Sequence, residues 1–264
     1  MIDSLKQLLR YRGFITSSVR REFQSRYQSS ILGPVWMFIQ PISLILIYTV
    51  IFSTLMKARL PGNSDHFAYS IFLCSGIIMW NLFSEILSKS VTVFIRNANL
   101  LKKLSFPKIC LPVIVFWGSI INFAILLGVF ILVLVFSGHV HFISLLLVIP
   151  LVLLLSVFAV SFGMITGIIN VFFRDVGQFI FVFMQFWFWL TPIVYPINIL
   201  PSWAREIVEL NPLTGIVVFS QKMFVYGDVS DYRMLLPSLI SSIVCCALCI
   251  ILFKKRSKDM VDEL

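Results

Sequence analysis

Residues 142–173 read FISLLLVIPLVLLLSVFAVSFGMITGIINVFF, an apolar stretch without one charged side chain. An α-helix rises about 1.5 Å per residue, so this stretch reaches roughly 45 Å as a helix. About 20 apolar residues are enough to cross the hydrocarbon core of a bilayer. We therefore predict a membrane-spanning helix here, either tilted or projecting beyond the hydrocarbon layer.

Five further apolar stretches flank this one, and each is about long enough to span a bilayer. In chain order the six stretches are 35–56, 67–87, 109–136, 142–173, 176–194 and 235–253. With 59% hydrophobic residues and a mean hydropathy of +0.98, the 264-residue chain leaves no soluble domain of useful size. We predict an all-α membrane protein with six transmembrane helices over residues 35–264, preceded by a helical segment, 1–34.

The basic residues are unevenly distributed between the connecting segments. Of the 21 lysines and arginines, 16 lie in 1–34, in 88–108, at Arg174 or in 254–264. Because cytoplasmic loops carry an excess of lysine and arginine, both termini and the loops after spans two and four are predicted to face the cytoplasm. The net charge of +9 is then explained by topology and anionic lipid, and we expect no nucleic-acid partner.

Two of these cytoplasmic segments have apolar residues at helical spacing between the basic ones. In 1–34, Tyr11, Ile15 and Val19 recur at every fourth position, which predicts an amphipathic helix along the inner interface. Segment 88–108 has five basic and no acidic residues, which predicts a second short amphipathic helix. Each helix could rest on lipid headgroups or contact a cytoplasmic partner, and periodicity alone leaves both alternatives open.

The outer connection between spans five and six, residues 195–234, is too apolar for a free loop. Ser202 is suited to cap a helix that Asn211 and Pro212 end, and a second apolar piece follows as far as Tyr226. Two short helices at a proline corner predict a re-entrant hairpin. Such a hairpin is tolerated at membrane depth only where it is buried in protein or lines a cavity. The alternative is a pair of helices lying at the outer interface.

Catalytic and metal-binding groups are scarce in the spans. Glu85 is the only acidic residue inside a predicted span, and the three histidines lie in short outer loops. The five cysteines have no histidine or carboxylate beside them, so we predict neither a disulfide framework nor a metal site. No glycine is followed by lysine, so the ATP-binding loop G-x-x-x-x-G-K-[ST] is absent. ATP-driven activity would need a separate subunit, and we expect no cofactor on this chain.

Span five is crowded with aromatic side chains, including Phe186, Trp187 and Trp189, and Tyr195 follows it. Aromatic faces pack against the C–H surfaces of sugars, and tryptophan and tyrosine add a polar group. The pattern indicates a channel face for a glycan or, alternatively, plain packing against lipid. Rings on all sides of one helix cannot all line one channel, so part of them must serve packing.

Six motifs occur in order along the chain. They are RYQSSILGPVW at 26–36 leading into Gln40-Pro41, WNLF at 80–83, NANLLKK at 97–103 with Phe106-Pro107, FRDV at 173–176, TPIVYP at 191–196 and NPLT at 211–214. Together they resemble the permease (transmembrane) subunit of bacterial ABC exporters for cell-surface polysaccharide, the family that moves O antigen, capsule and teichoic acid chains. The resemblance covers nearly the full chain.

This resemblance implies a multi-pass protein of the bacterial inner membrane that is not itself an enzyme. The family forms a homodimer with a channel at its interface and two copies of an ABC nucleotide-binding subunit, which hydrolyses the ATP. The implied substrate is an undecaprenyl-diphosphate-linked polysaccharide, first of all O antigen in lipopolysaccharide biosynthesis. Capsule and teichoic acid chains remain alternatives, and a membrane-embedded transferase for polyprenyl-linked glycans or a non-transporting scaffold are interpretations of other classes.

The resemblance and the aromatic pattern assign residues to three roles. The predicted substrate-channel residues are Trp36, Trp80, Phe186, Trp187, Trp189 and Tyr195. The predicted ATPase-coupling residues are Arg26, Arg96, Asn97, Lys102, Lys103, Phe106 and Pro107. The predicted outer-gate residues are Pro196, Trp203, Asn211 and Pro212.

The topology is testable by labelling single cysteines, introduced as Arg96→Cys or Trp203→Cys after replacement of the five native cysteines. The basic-residue distribution predicts that an impermeant thiol reagent labels position 203 and not position 96 in cells with a permeabilised outer membrane and an intact inner membrane. Position 96 should be labelled only after lysis. Labelling at 96 without any at 203 would reverse the predicted orientation.

Overall fold

A computed structural model of the chain describes residues 9–27, 32–51, 60, 67–103, 107–256 and 259–264. Within these residues the regular elements are helices, which confirms the all-α class. In chain order they are α1 (Arg12–Tyr27), α2 (Trp36–Thr49), α3 (Ala68–Arg96), α4 (Ala98–Lys103), α5 (Cys110–Ser137), α6 (Phe142–Phe172), α7 (Asp175–Leu190), α8 (Ser202–Leu210), α9 (Pro212–Tyr226), α10 (Leu236–Arg256) and α11 (Asp259–Glu263).

Four helical segments of the described chain are long and apolar enough to cross a membrane, namely α3, α5, α6 and the segment Tyr232–Arg256 that contains α10. The helices of predicted spans one and five, α2 and α7, are shorter. α7 ends at Leu190 because Thr191 precedes Pro192 and adopts an extended backbone, as proline demands of the residue before it. The described part of α2 ends before residue 52, so the six-span count stays a prediction.

The helix of span two does not end at Leu87, where the sequence placed the start of a cytoplasmic loop. α3 continues to Arg96, and a short helix, α4, follows after Asn97. The extension is helical because Val91 and Phe94 remain fully buried against the bundle and no glycine or proline interrupts it. The predicted coupling segment 88–108 is therefore partly a continuation of the span.

α3 lies at the centre of the bundle. Its main neighbours are α6, α9 and α5, and α6 in turn packs along α10. Of its most apolar 18-residue window, 78% is buried, compared with 11% for the segment that contains α10. α3 is thus surrounded by protein, whereas α10 is left to face its surroundings.

Two glycines of α6 allow its close approach to α3. A Cβ atom at Gly163 would lie 2.4 Å from Ser90 Cβ, and one at Gly167 would lie 2.5 Å from the Ser90 backbone oxygen. Both distances are far below van der Waals contact, so any side chain larger than hydrogen pushes the two helices apart. Small residues at such crossings give close helix packing in membranes.

The α3–α6 contact predicts that Gly167→Ala destabilises the protein, because the Ser90 carbonyl is backbone and cannot move aside. The expected cost is about 1–3 kcal/mol, typical of overpacking. Gly128→Ala in α5 is the matched control, since a Cβ there meets nothing within 4 Å. The measurement is the thermal midpoint of each purified variant by fluorescence-detected size exclusion, and equal midpoints for both would disprove the tight crossing.

Candidate substrate path and coupling surface

A polar cleft of about 370 Å³, which we call the membrane cleft, opens between α2, α3 and α5. Asn81, Ser84, Glu85 and Ser88 share one face of α3, because they are spaced three or four residues apart. Gln40 of α2 and Asn122 of α5 add further polar side chains. Polar and ionisable groups within membrane helices are costly and typically serve a function. The membrane cleft is therefore the strongest candidate for a path that accepts a polar substrate.

An ion-pair network closes the membrane cleft at one end. The Lys89 ammonium lies 2.7 Å from Glu22 Oε1 of α1 and 2.8 Å from Glu85 Oε1 of α3. The Asn122 amide of α5 donates a further hydrogen bond to Glu85. The absence of a side chain at Gly118 makes room, since a Cβ there would lie 3.1 Å from Glu22 Oε2. α3 is thus joined to α1 through Lys89 and to α5 through Glu85.

A second cleft, the basic cleft, lies on the other side of this network between α1, α3, α4 and α5 and measures about 560 Å³. Arg21, Lys89 and Arg96 line it together with one acid, Glu22. The excess of positive charge suits this cleft to an anionic group. Lys89 lines the basic cleft and Glu85 lines the membrane cleft, so their ion pair is the partition between the two.

The predicted coupling residues Arg96 and Asn97 both line the basic cleft. Asn97 shapes the corner between α3 and α4: its side chain donates to the Val93 carbonyl over 2.7 Å, and its own carbonyl accepts from the N–H groups of Leu100 and Leu101. Asn97 thereby ends α3 and starts α4. Its described contacts are local and structural.

The remaining coupling residues are only partly described. Lys102 is exposed on α4 and Pro107 is half-buried, which leaves the Lys102 ammonium accessible to a partner. The structural description does not extend to the side chains of Arg26 and Lys103 or to residue Phe106.

The structure separates the predicted channel residues of α7 by face. Trp187 is only 8% exposed and sits inside the bundle, whereas Phe186 and Trp189 are each 65% exposed. The Trp187 ring centroid lies 5.1 Å from those of Phe83 and Phe183, 5.7 Å from that of Phe162 and 6.3 Å from that of Phe158. Trp187 therefore belongs to the intramolecular packing of this chain. On α7, the prediction of a channel face now concerns Phe186 and Trp189.

Trp36 and Trp80 occupy different environments. Trp36 begins α2 and is 44% exposed, close to the Met37 and Gln40 end of the membrane cleft. Trp80 is half-buried on α3, with its ring centroid 5.4 Å from that of Phe188 in α7. Trp80 therefore packs against α7, whereas Trp36 lies at the exposed start of α2.

Asn211 is the hub of the predicted outer gate. Its Oδ1 accepts hydrogen bonds from Trp187 Nε1 at 2.9 Å and from the Leu213 backbone N–H at 3.1 Å. Its Nδ2 donates to Thr191 Oγ1 at 3.0 Å and to the Leu190 carbonyl at 3.3 Å. One side chain therefore starts α9 and holds the end of α7 against it.

The other gate residues frame this hub. Pro212 is the first residue of α9, and its carbonyl accepts a hydrogen bond from Ser238 Oγ over 2.5 Å. Trp203 on α8 is 69% exposed and Pro196 is half-buried. Almost all of α9 is buried, and it packs mainly against α3 and α10, so this helix is an integral part of the bundle. The depth of the α8–α9 pair in a membrane stays a prediction.

The segment between α7 and α8 is anchored by buried polar contacts. Gln221 of α9 donates to the carbonyls of Pro192 at 3.0 Å and Ile193 at 3.2 Å, and the Tyr69 hydroxyl donates to Val194 at 2.7 Å. The Tyr195 hydroxyl donates to the Trp189 carbonyl at 2.9 Å. Desolvation by burial raises the Tyr195 pKa above its usual value, so this hydroxyl keeps its proton at neutral pH.

The membrane cleft and the Lys89 network were missed by the sequence analysis, which noted Glu85 alone. The available signal was the spacing of Asn81, Ser84, Glu85 and Ser88, which places polar groups on one face of an apolar helix. The contributions of Glu22 and Asn122 come from distant parts of the chain and could not be read from spacing.

The bundle of long apolar helices with a polar cleft inside it defines a multi-pass membrane protein. The chain belongs to the ABC-2 type transporter family, whose profile matches residues 14–224. It is 27% identical over 266 residues to the O-antigen export system permease protein RfbA of Myxococcus xanthus, across the full length of both. It is 28% identical over 211 residues to an RfbA of Klebsiella pneumoniae, covering 80% of this chain and 79% of that protein. It is also 22% identical to the polysialic acid transport protein KpsM of Escherichia coli over 250 residues, 92% of this chain and 93% of that one.

The two faces of α7 predict different effects on stability for two matched substitutions. Trp187→Phe removes the N–H that binds Asn211 and part of a buried ring, so we expect a loss of about 1–3 kcal/mol in stability. Trp189→Phe removes the same atoms from an exposed position, so the thermal midpoint should stay unchanged. If Trp189 lines a channel, the Trp189→Phe variant should have normal stability and reduced transport. Equal thermal midpoints for Trp187→Phe and Trp189→Phe would show that the buried and exposed faces of α7 were assigned wrongly.

Proposed function

We propose that this chain is the transmembrane permease subunit of an ATP-driven exporter that moves an undecaprenyl-diphosphate-linked polysaccharide, O antigen in the first place, across the bacterial inner membrane. The observation that carries the proposal is the match to an O-antigen export permease along the whole chain, within the ABC-2 family. The match to KpsM supports capsule polysaccharide as the alternative cargo, and teichoic acid chains belong to the same alternative.

The energy for transport comes, in this proposal, from two copies of a separate ABC nucleotide-binding subunit. The ABC-2 family membership supports such a partner. Its docking surface would be the cytoplasmic end of α3 and the helix α4, where Lys102 is exposed. The chain contributes the channel and no ATP-binding or catalytic residue.

The proposed assembly is a homodimer of six-span subunits with both termini in the cytoplasm. α2 and α7 would be spans one and five, and α8 with α9 would form the outer gate. The exposed faces of these helices support a second subunit there, because Phe186 and Trp189 are large apolar side chains with no cover within the described chain. Two copies of α7 facing one channel would supply the aromatic surface that a glycan needs.

The two clefts supply the chemistry for a substrate with a charged head and a neutral chain. Arg21 and Arg96 of the basic cleft suit a diphosphate arriving from the inner leaflet, since guanidinium groups bind phosphate oxygens in pairs. The amide and hydroxyl groups of the membrane cleft, such as Asn81 and Ser84, suit sugar hydroxyls.

A transferase acting on polyprenyl-linked glycans is less well supported by the geometry. Such an enzyme needs a carboxylate or histidine positioned to move a proton. Among the described residues that line the membrane cleft, Glu85 is the only acidic residue and no histidine is present, and Glu85 Oε1 is bound to both Lys89 and Asn122.

The experiment is complementation of a strain that lacks this chain. Loss of surface polysaccharide with accumulation of undecaprenyl-diphosphate-linked polymer inside the cell is expected, and the wild-type chain should restore export. The double variant Asn81→Leu with Ser84→Leu removes two polar groups from the membrane cleft. At about 1 kcal/mol for each hydrogen bond lost, roughly tenfold or greater loss of export per inserted chain is expected.

Ala247→Leu is the control, because Ala247 is exposed on α10, away from the membrane cleft. Export of the double variant at the control level would remove the membrane cleft from the substrate path. Absence of the polymer itself in the deletion strain would favour the transferase, since synthesis and not transport would then have failed.

A further inference from the structure

An apolar groove of about 740 Å³ runs between α1 and α5, on the side of α1 away from the basic cleft. We call it the α1–α5 groove. Ile15 and Val19, each 8% exposed, form its floor, and Trp117 of α5, 50% exposed, forms part of its wall. The other lining residues are Leu9, Arg12, Thr16, Arg20, Phe23, Val113 and Ile121.

The charged groups of the groove are two arginines and no acid. Arg12 and Arg20 are exposed, and they lie eight positions apart along α1, about 12 Å at 1.5 Å per residue. Neither forms an ion pair with another residue of the described chain. The Thr16 hydroxyl donates to the Arg12 carbonyl, so it is satisfied within α1 and leaves the interior of the groove apolar.

The groove continues into an exposed apolar stripe on α5. Trp117, Ile121, Leu132 and Val135 share one face of this helix and are 38–57% exposed. A stripe of this kind on a membrane-spanning helix is covered by acyl chains. The groove is the end of that stripe, and Trp117 marks the level at which tryptophan usually meets the headgroup region. An occupant must therefore be apolar along the stripe and anionic at α1.

We propose that the α1–α5 groove is a binding site for an anionic glycerophospholipid of the cytoplasmic leaflet. One acyl chain lies between α1 and α5, and the phosphate contacts Arg12 or Arg20, whose guanidinium groups match phosphate geometry. The inference rests on the cytoplasmic position of α1 in the proposed topology, and it concerns bulk lipid on the outside of the bundle, not cargo. It is the protein's fixed contact with the inner leaflet.

The test is native mass spectrometry of the full-length chain, titrated with phosphatidylglycerol or with phosphatidylcholine of the same acyl chains. Wild-type chain should bind phosphatidylglycerol more tightly. Arg12→Gln with Arg20→Gln should weaken phosphatidylglycerol binding roughly 30-fold, because each basic residue near an anionic lipid contributes about 1 kcal/mol. Arg10→Gln with Arg174→Gln removes the same charge from exposed positions outside the groove and should leave binding unchanged.

A second variant tests the apolar part without changing charge. Thr16→Trp fills the groove from an exposed position, so it should weaken binding of both lipids alike. Wild-type binding in either groove variant would overturn the proposal, as would tighter binding of a polyprenyl phosphate than of phosphatidylglycerol. A shift of Thr16→Trp from dimer to monomer would identify the groove as an interface between copies instead.

A measurement on the wild-type chain needs no variant. Hydrogen–deuterium exchange over residues 12–23 should slow on addition of phosphatidylglycerol and not of phosphatidylcholine. Equal exchange with both lipids would count against the site. Neither lipid binding nor hydrogen–deuterium exchange involves export. A failed complementation experiment would therefore leave the lipid site standing, and absence of lipid binding would leave the proposed export function standing.

Discussion

Amide, hydroxyl and charged side chains are tolerated at membrane depth where protein surrounds them, and the burial of α3 provides such surroundings. This helix has the lowest hydropathy of the four membrane-length segments, 1.6 compared with 2.6 to 3.0, and its apolar window is the most buried of the four. The close approach of α6 at Gly163 and Gly167 helps to bury it. The polar face that forms the membrane cleft depends on this packing.

α3 also connects the two ends of the molecule. Near one end Lys89 binds α1, and the Val91 carbonyl accepts a hydrogen bond from Asn170 of α6 over 3.0 Å. Asn170 accepts in turn from the Gly177 N–H of α7. Toward the other end, Phe83 packs against Trp187, which binds Asn211 at the start of α9. A contiguous set of contacts therefore leads from α1 through α3 and α7 to α9, and it connects the two ends of the bundle.

Sequence reasoning succeeded where one physical signal dominated. Length and hydropathy predicted the all-α fold and the helices α3, α5, α6 and α10, and the ordered motifs indicated the family. Proline and asparagine correctly placed the corner at Asn211. The sequence predicted a separate amphipathic helix after Leu87, and it did not show that α3 itself runs on to Arg96, because that extension depends on burial of Val91 and Phe94 against other helices.

The site was less accessible to sequence reasoning because it is made from tertiary contacts. Aromatic content identified α7 but could not distinguish the buried Trp187 from the exposed Trp189, which differ only by their position around the helix. Glu22, Lys89 and Asn122 are far apart in sequence and meet only through packing. Spacing within one helix is visible in a sequence, whereas the partner of each face is not.

The half-buried position of Lys89 has a consequence for the response to ionic strength. Its side chain is 12% exposed, whereas Arg205 and Glu209, paired at 2.8 Å on α8, are 44% and 45% exposed. Mobile ions screen exposed pairs strongly and buried pairs much less. Added salt should therefore loosen the charge pairing of α8 before it affects the Lys89 network, so two ends of one protein would respond to the same electrolyte at different concentrations.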